Sequence, residues 1–186
     1  GWLNADEQYL PGAFAAARRA FDADPVLDLV FGDYLVLGAG GAVLAARREI
    51  PPRRFYLRHG VNYLLSCTVF FRRELWTRLG GFDPAYAIVA DKRFYLQALD
   101  AGARAAHIPA YIGAFGATGE NLSLLPAAAD EQRRLREATG AFRLPALRRA
   151  VRALRCAEKL SRGCYAPRRV ETVIVDAEGL PRPFRG

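Results

Sequence analysis

The chain contains no methionine, and only three cysteines, two histidines and two tryptophans among its 186 residues. Each scarcity narrows the possible functions. Cys67, Cys156 and Cys164 are too few and too scattered for a disulfide framework, and none stands at Cys-x-x-Cys spacing for zinc or redox chemistry. They fit a reducing, cytoplasmic setting. His59 and His107 have no paired ligand at metal spacing, which leaves them as structural or solvent-facing residues. Long apolar runs are missing too. The longest, residues 61–71, is interrupted by Asn62, Ser66 and Thr68 and falls well short of the roughly 20 residues a membrane-spanning helix needs. No signal-peptide pattern is visible. Without a methionine, and starting Gly-Trp-Leu-Asn, the chain is expected to lack an N-terminal portion.

What is present is enough for one globular domain, because 52% apolar and 11% aromatic residues can bury a real core at this length. Charge is unevenly placed. Residues 1–132 hold 13 Lys and Arg against 14 Asp and Glu, whereas residues 133–186 hold 14 against 5. The whole basic excess therefore belongs to the C-terminal part, where any polyanion is a permitted partner. Nucleic acid is the weakest of these, because the tail lacks interleaved aromatics and any recognised motif.

The stretch from Ser66 to Gly102 organises the rest. An apolar run, Thr68 to Phe71, meets a basic pair and then a helical segment, Arg72 to Leu79, closed by Gly80. A Phe-Asp-Pro turn follows, and Asp91 then opens a second helix reaching to Leu99 and ending at Gly102. At that helix start the dipole favours a charged Asp91.

Upstream, Gly1 to Asn4 reads as the end of a buried strand, with Ala5-Asp6-Glu7-Gln8 at its carboxyl edge, where open α/β sheets bind ligands. A surface helix follows Pro11, carrying Ala13, Phe14, Ala17, Ala20 and Phe21 at helical spacing. Residues 27–46 read as strand, turn and strand. Residues 47–58, with Pro51-Pro52 and five arginines, read as a mobile loop over one face. Downstream, Ala103 to Ile108 reads as an edge strand, Tyr111 to Phe115 as a separate apolar segment, and residues 116–123 as a Gly-rich polar loop. Asp130 to Ala141 is a charged helix. From Leu144, the residues Leu147, Val151 and Leu154 recur among arginines as a basic amphipathic helix, followed by a terminal strand over 170–175.

Three pieces in this order resemble the inverting glycosyltransferases of family 2: Leu3-Asn4-Ala5-Asp6-Glu7 with Leu10-Pro11-Gly12-Ala13, then Val30-Phe31-Gly32-Asp33, then Phe70-Phe71-Arg72-Arg73 through Gly80-Gly81-Phe82-Asp83 to Asp91. The resemblance covers Trp2 to about Ser123. It implies an α/β fold of the nucleotide-diphospho-sugar (GT-A) type, a mixed sheet flanked by helices. The chain would be the C-terminal part of the catalytic domain, residues 1–125, followed by a helical basic extension over 126–186. The resemblance further implies hexosyl transfer, with inversion, from a nucleotide-sugar donor to a glycan or lipid-linked acceptor in surface polysaccharide synthesis. In these terms Asp6 is the ligand of a divalent metal, Mg²⁺ or Mn²⁺, and Asp91 the general base. Asn4, Glu7, Asp33, Glu120 and Asn121 are residues near donor or acceptor. Two departures stand out: Asn4 replaces a usual aspartate, and Lys92-Arg93 follows Asp91 where another acid is common. A chain without the nucleotide-binding half is expected to show little or no transfer by itself.

Plainer roles stand beside these. Asp6 is also a helix cap, Asp91 also an acid of a first helical turn, and Asp33 also a strand-end turn residue. Phe70, Phe71, Trp76 and Phe82 read as core. The chain as a whole also reads as an inactive sugar-nucleotide-binding or scaffold module. The C-terminal helix reads either as a solvated face or as a peripheral anchor on the anionic inner face of the plasma membrane.

Overall fold

The computed structural model describes every residue except Glu120 and Ala177. It is an α/β structure built on a mixed sheet. The strands are β1 (Glu7–Tyr9), β2 (Leu29–Gly38), β3 (Val43–Arg47), β4 (Val69–Phe71) and β5 (Ala105–Ala117), in the order β1-β5-β2-β3, with β4 beside the first half of β2. Strands β2 and β5 are parallel and every other pairing in this sheet is antiparallel. The helices are α1 (Ala13–Ala23), α2 (Arg54–His59), α3 (Arg73–Leu79), α4 (Ala90–Asp100), α5 (Pro126–Ala138) and α6 (Pro145–Ser161), and a hairpin of β6 (Glu171–Val175) and β7 (Pro181–Arg185) closes the chain. Among the described residues no helix is long and apolar enough to cross a membrane.

Strand β2 is apolar almost throughout, as a strand covered on both faces must be. Alternation sends Leu29 and Phe31 into a core formed with α2, α3 and α4, and sends Val30 into a second core with Ala13 and Ala17 of α1. The first core holds Phe94, Tyr95, Leu96 and Ala98, so α4 is anchored along its length and its first turn is fixed. Trp76, Phe71 and Phe82 pack on the same cluster, and Phe70 is buried in the second.

Several elements differ from the sequence reading. Residues 1–4 form no strand; β1 begins at Glu7, so Asp6 and Glu7 stand at a strand's start rather than its end. Its antiparallel register, Glu7 opposite Phe115, still brings them to the carboxyl end of β5. Strand β5 is a single central element of 13 residues, not an edge strand and a fragment. Pro109 cannot donate to a ladder, and the register jumps there: Gly32 faces Ile108 but Asp33 faces Tyr111. The bulge presses so closely on β2 that a Cβ at Gly32 would lie 2.6 Å from the Ile112 side chain.

Residues 47–58 are packed rather than loose. Ile50, Tyr56 and Leu57 are buried in the main core and Arg54 to His59 form α2. The C-terminal part is joined to the rest without a break in packing. Val151 of α6 and Leu135 of α5 belong to the main core, and Val170 and Ile174 pack with Leu10, Leu35 and Leu37. Helix α6 lies with Val151, Arg155 and Lys159 inward and leaves Leu147, Leu154 and Leu160 exposed.

Candidate active site

A cleft of about 690 Å³ opens where the segment before β1, the 60–66 segment, the start of α4 and the end of β5 converge. Asn4, Asp6, Glu7, Asp91 and Asn121 all line it, so five of the residues singled out in the sequence meet in one place. Glu120 lies outside the described residues. Asp33 is elsewhere: completely buried, it accepts hydrogen bonds from the Glu49 backbone N–H at 2.9 Å and from Arg168 Nη1 at 3.0 Å, and lies 2.7 Å from His107 Nε2. That carboxylate ties three segments together and does not face the cleft. His59 is likewise structural, stacked on Phe142 with Nδ1 accepting the Phe142 N–H.

The acidic rim is a connected network. Asn4 N–H donates to Glu7 Oε2 at 2.9 Å, Asn4 Nδ2 donates to Ser66 Oγ at 3.0 Å, and Ser66 Oγ donates to Glu7 Oε1 at 2.7 Å. Ser66 reaches Glu7 because its short 3-10 turn lies directly on β5, where only a glycine fits: a Cβ at position 113 would stand 2.2 Å from the Cys67 carbonyl. Beside it, Asn121 Nδ2 donates to Asp6 Oδ2 at 2.6 Å and to the Gly116 carbonyl at 2.7 Å, using both its hydrogens.

Asp91 sits in the first turn of α4, partly buried, and lines the same cleft. Lys92 N–H donates to Oδ1 at 2.6 Å and Asn62 Nδ2 to Oδ2 at 3.2 Å. The sequence reading expects the helix start to favour its charge, yet burial outweighs the helix. Together with the negative charge of Glu7, it pushes the carboxyl up to about 6 against the opposing donors. Lys92 is lowered to about 8 by burial and by the nearby positive charges of Arg136 and Arg152. A carboxyl that titrates near 6 in a cleft is suited to accepting a proton at neutral pH.

Glu131 was not singled out in the sequence, yet it shapes the approach to α4. Its carboxylate accepts three backbone N–H bonds, from Ala87 at 2.9 Å and from Ile88 and Val89 at 2.8 and 3.1 Å. Burial alone would raise this carboxyl, but those donors and Arg134 outweigh it and hold it below the usual carboxylate range. Asn62 and Ser66 did leave a signal, as polar interruptions of an apolar run. Glu131 left none, because an acid on a charged helix looks solvated.

Among the described residues no group of three or more His, Cys, Asp or Glu side chains is arranged to hold a metal by itself. Magnesium is commonly held by one or two carboxylates completed by phosphate oxygens and water. Asp6 and Glu7 on the rim fit that second kind of site. No protein-family model and no curated protein matches the chain.

Proposed function

We propose that the chain is part of a metal-dependent inverting glycosyltransferase with a GT-A fold, in which Asp91 is the general base and Asp6 the metal ligand. One observation carries the reading: Asp6 and Asp91, far apart in sequence and named by separate motifs, line the same cleft, with Asp91 raised to about 6. The mixed sheet with β1 antiparallel to β5 agrees with that fold.

In this mechanism an acceptor hydroxyl enters beside Asp91. Its oxygen attacks the anomeric carbon from the face opposite the leaving phosphate. The new C–O bond forms as the old one breaks, the electron pair leaves with the nucleoside diphosphate, and the proton passes to the Asp91 carboxylate. One displacement inverts the anomeric centre. Mg²⁺ or Mn²⁺ bound against Asp6 would supply counter-charge to the departing diphosphate. Asn62 and the Lys92 N–H hold the Asp91 oxygens in place, while Asn121 orients Asp6. Partners in this reading are a nucleotide-sugar and a glycan or lipid-linked acceptor.

A non-catalytic sugar-nucleotide-binding module is the second reading, favoured by the occupied oxygens of Glu7 and by Asn4 in place of an acid. The full-length gene product, given Mn²⁺, an acceptor extract and a panel of nucleotide sugars, is expected to release nucleoside diphosphate, and Asp91→Asn to stop it with binding retained. Donor binding with no release by either protein would establish the second reading. Absence of both binding and release would overturn the two together.

A further inference from the structure

Next to the acidic cleft is a smaller pocket of about 230 Å³, with six of its nine lining residues cationic and none acidic. Arg58 comes from α2, Lys92 from α4, Arg136 from α5, and Arg148, Arg149 and Arg152 from α6, so four helices deliver six positive side chains to one concavity. Arg58 is engaged by Asp100. Among the described residues the other five form no ion pair. Other basic residues of the same C-terminal region are matched: Arg155 and Lys159 with Glu49, Arg162 with Glu158, Arg168 with Asp33. Unpaired positive charge is thus concentrated at this spot.

That concentration opposes folding. Arg136 is lowered by burial and by Arg148 and Arg133, and Lys92 by burial and by Arg136 and Arg152, so each is less readily charged than a free side chain. A fan of solvated arginines would relieve the repulsion by spreading apart, whereas here Lys92 and Arg148 are half-buried and the walls curve inward. A compact polyanion offsets the repulsion and accepts charge-assisted hydrogen bonds from several guanidinium groups at once. The volume lies below the roughly 300–1,000 Å³ of sites for drug-sized ligands, which suits a small group rather than a whole nucleotide. Gly60, Lys92, Gln132 and Arg152 line both this pocket and the acidic cleft, so a bound group would lie beside Asp91.

We propose that this pocket is a binding site for a phosphate or diphosphate group, held by Arg136, Arg148, Arg149 and Arg152 next to the Asp91 cleft. The chemistry is the same for a soluble phosphate compound and for a lipid-borne phosphate. The assignment does not depend on glycosyl transfer, because its readout is binding.

Calorimetry with inorganic pyrophosphate, without metal and at fixed ionic strength, is expected to give one saturable site. The double substitution Arg148→Gln with Arg149→Gln is expected to weaken it by about tenfold or more, while Arg18→Gln with Arg19→Gln on α1 leaves it unchanged. Circular dichroism confirms folding of both variants. Equal loss in the two variants, or binding abolished as fully by chloride of matched ionic strength, would overturn the site in favour of diffuse attraction. Flotation with phosphatidylcholine vesicles containing phosphatidic acid then assigns the source. Binding displaced by pyrophosphate and lost in the Arg148/Arg149 variant supports a lipid-borne group, and saturable pyrophosphate binding without such flotation supports a soluble one.

Discussion

Lys159 Nζ and Glu49 Oε1 form a buried ion pair at 3.0 Å, although 110 residues separate them. Arg155 closes on the other carboxylate oxygen, and the Cys164 thiol donates to the Glu49 carbonyl. The C-terminal helix is therefore fastened to the segment that follows β3. Removing one partner of a buried pair leaves charge uncompensated, which typically costs about 3–5 kcal/mol. Glu49→Ala is expected to lose stability of that order in urea denaturation, and a loss below about 1 kcal/mol would contradict the fastening role.

Asp91 titrates near 6 because burial opposes its charge, against about 3.9 in an unfolded chain. Between roughly pH 4 and 6 the folded state keeps a proton that the unfolded state has released, so stability falls as pH rises through this window. Above it the full cost, about 2–3 kcal/mol, is present. Asp91→Asn is expected to be the more stable protein at pH 8, with the difference fading towards pH 4. Under the proposed function, transfer by the full-length gene product is expected to rise across pH 6. Denaturation curves at the two pH values, beside a rate profile, check both halves.

Glu131 gathers the N–H groups of Ala87, Ile88 and Val89 immediately before α4. Glu131→Ala strands these donors, at about 1–3 kcal/mol. Amide hydrogen exchange at residues 87–89 is expected to accelerate well beyond that of β2. Unchanged exchange there would show that α4 is positioned without Glu131.

Leu147, Leu154 and Leu160 are 44%, 54% and 69% exposed on the outward side of α6. If this side contacts a membrane, as the peripheral-anchor reading holds, phosphatidylglycerol vesicles are expected to float the protein, and Leu147→Glu with Leu154→Glu to reduce flotation several-fold. Equal flotation of the double variant would remove these leucines from any membrane contact.

Much of this architecture can be read in the residues. Helical spacing marks α1, α3, α4 and α6, Gly80 ends α3 with φ +75°, and the glycine-rich tip at 38–41 separates β2 from β3. Asp6, Glu7, Asn121 and Asp91 are reached through the family resemblance, and the fold brings all four to one cleft. What escapes is direction. Periodicity in α6 shows two faces but not that Glu49 draws Arg155 and Lys159 inward. Asp33 looks like a turn acid because Arg168 and His107, its partners, are remote in sequence. Strand β5 looks broken at Pro109 because the bulge that tolerates a proline depends on Gly32 across the sheet.

The link from Asn4 through Ser66 to Glu7 can be assembled in one sense only. The Asn4 amide nitrogen cannot accept and an ionised Glu7 cannot donate, so the Ser66 hydroxyl hydrogen has a single place to point. Such a chain has no alternative hydrogen arrangement to lose when a ligand arrives. A ligand entering the cleft would therefore meet a rim already settled, with the ordering entropy of these groups spent when the protein folded.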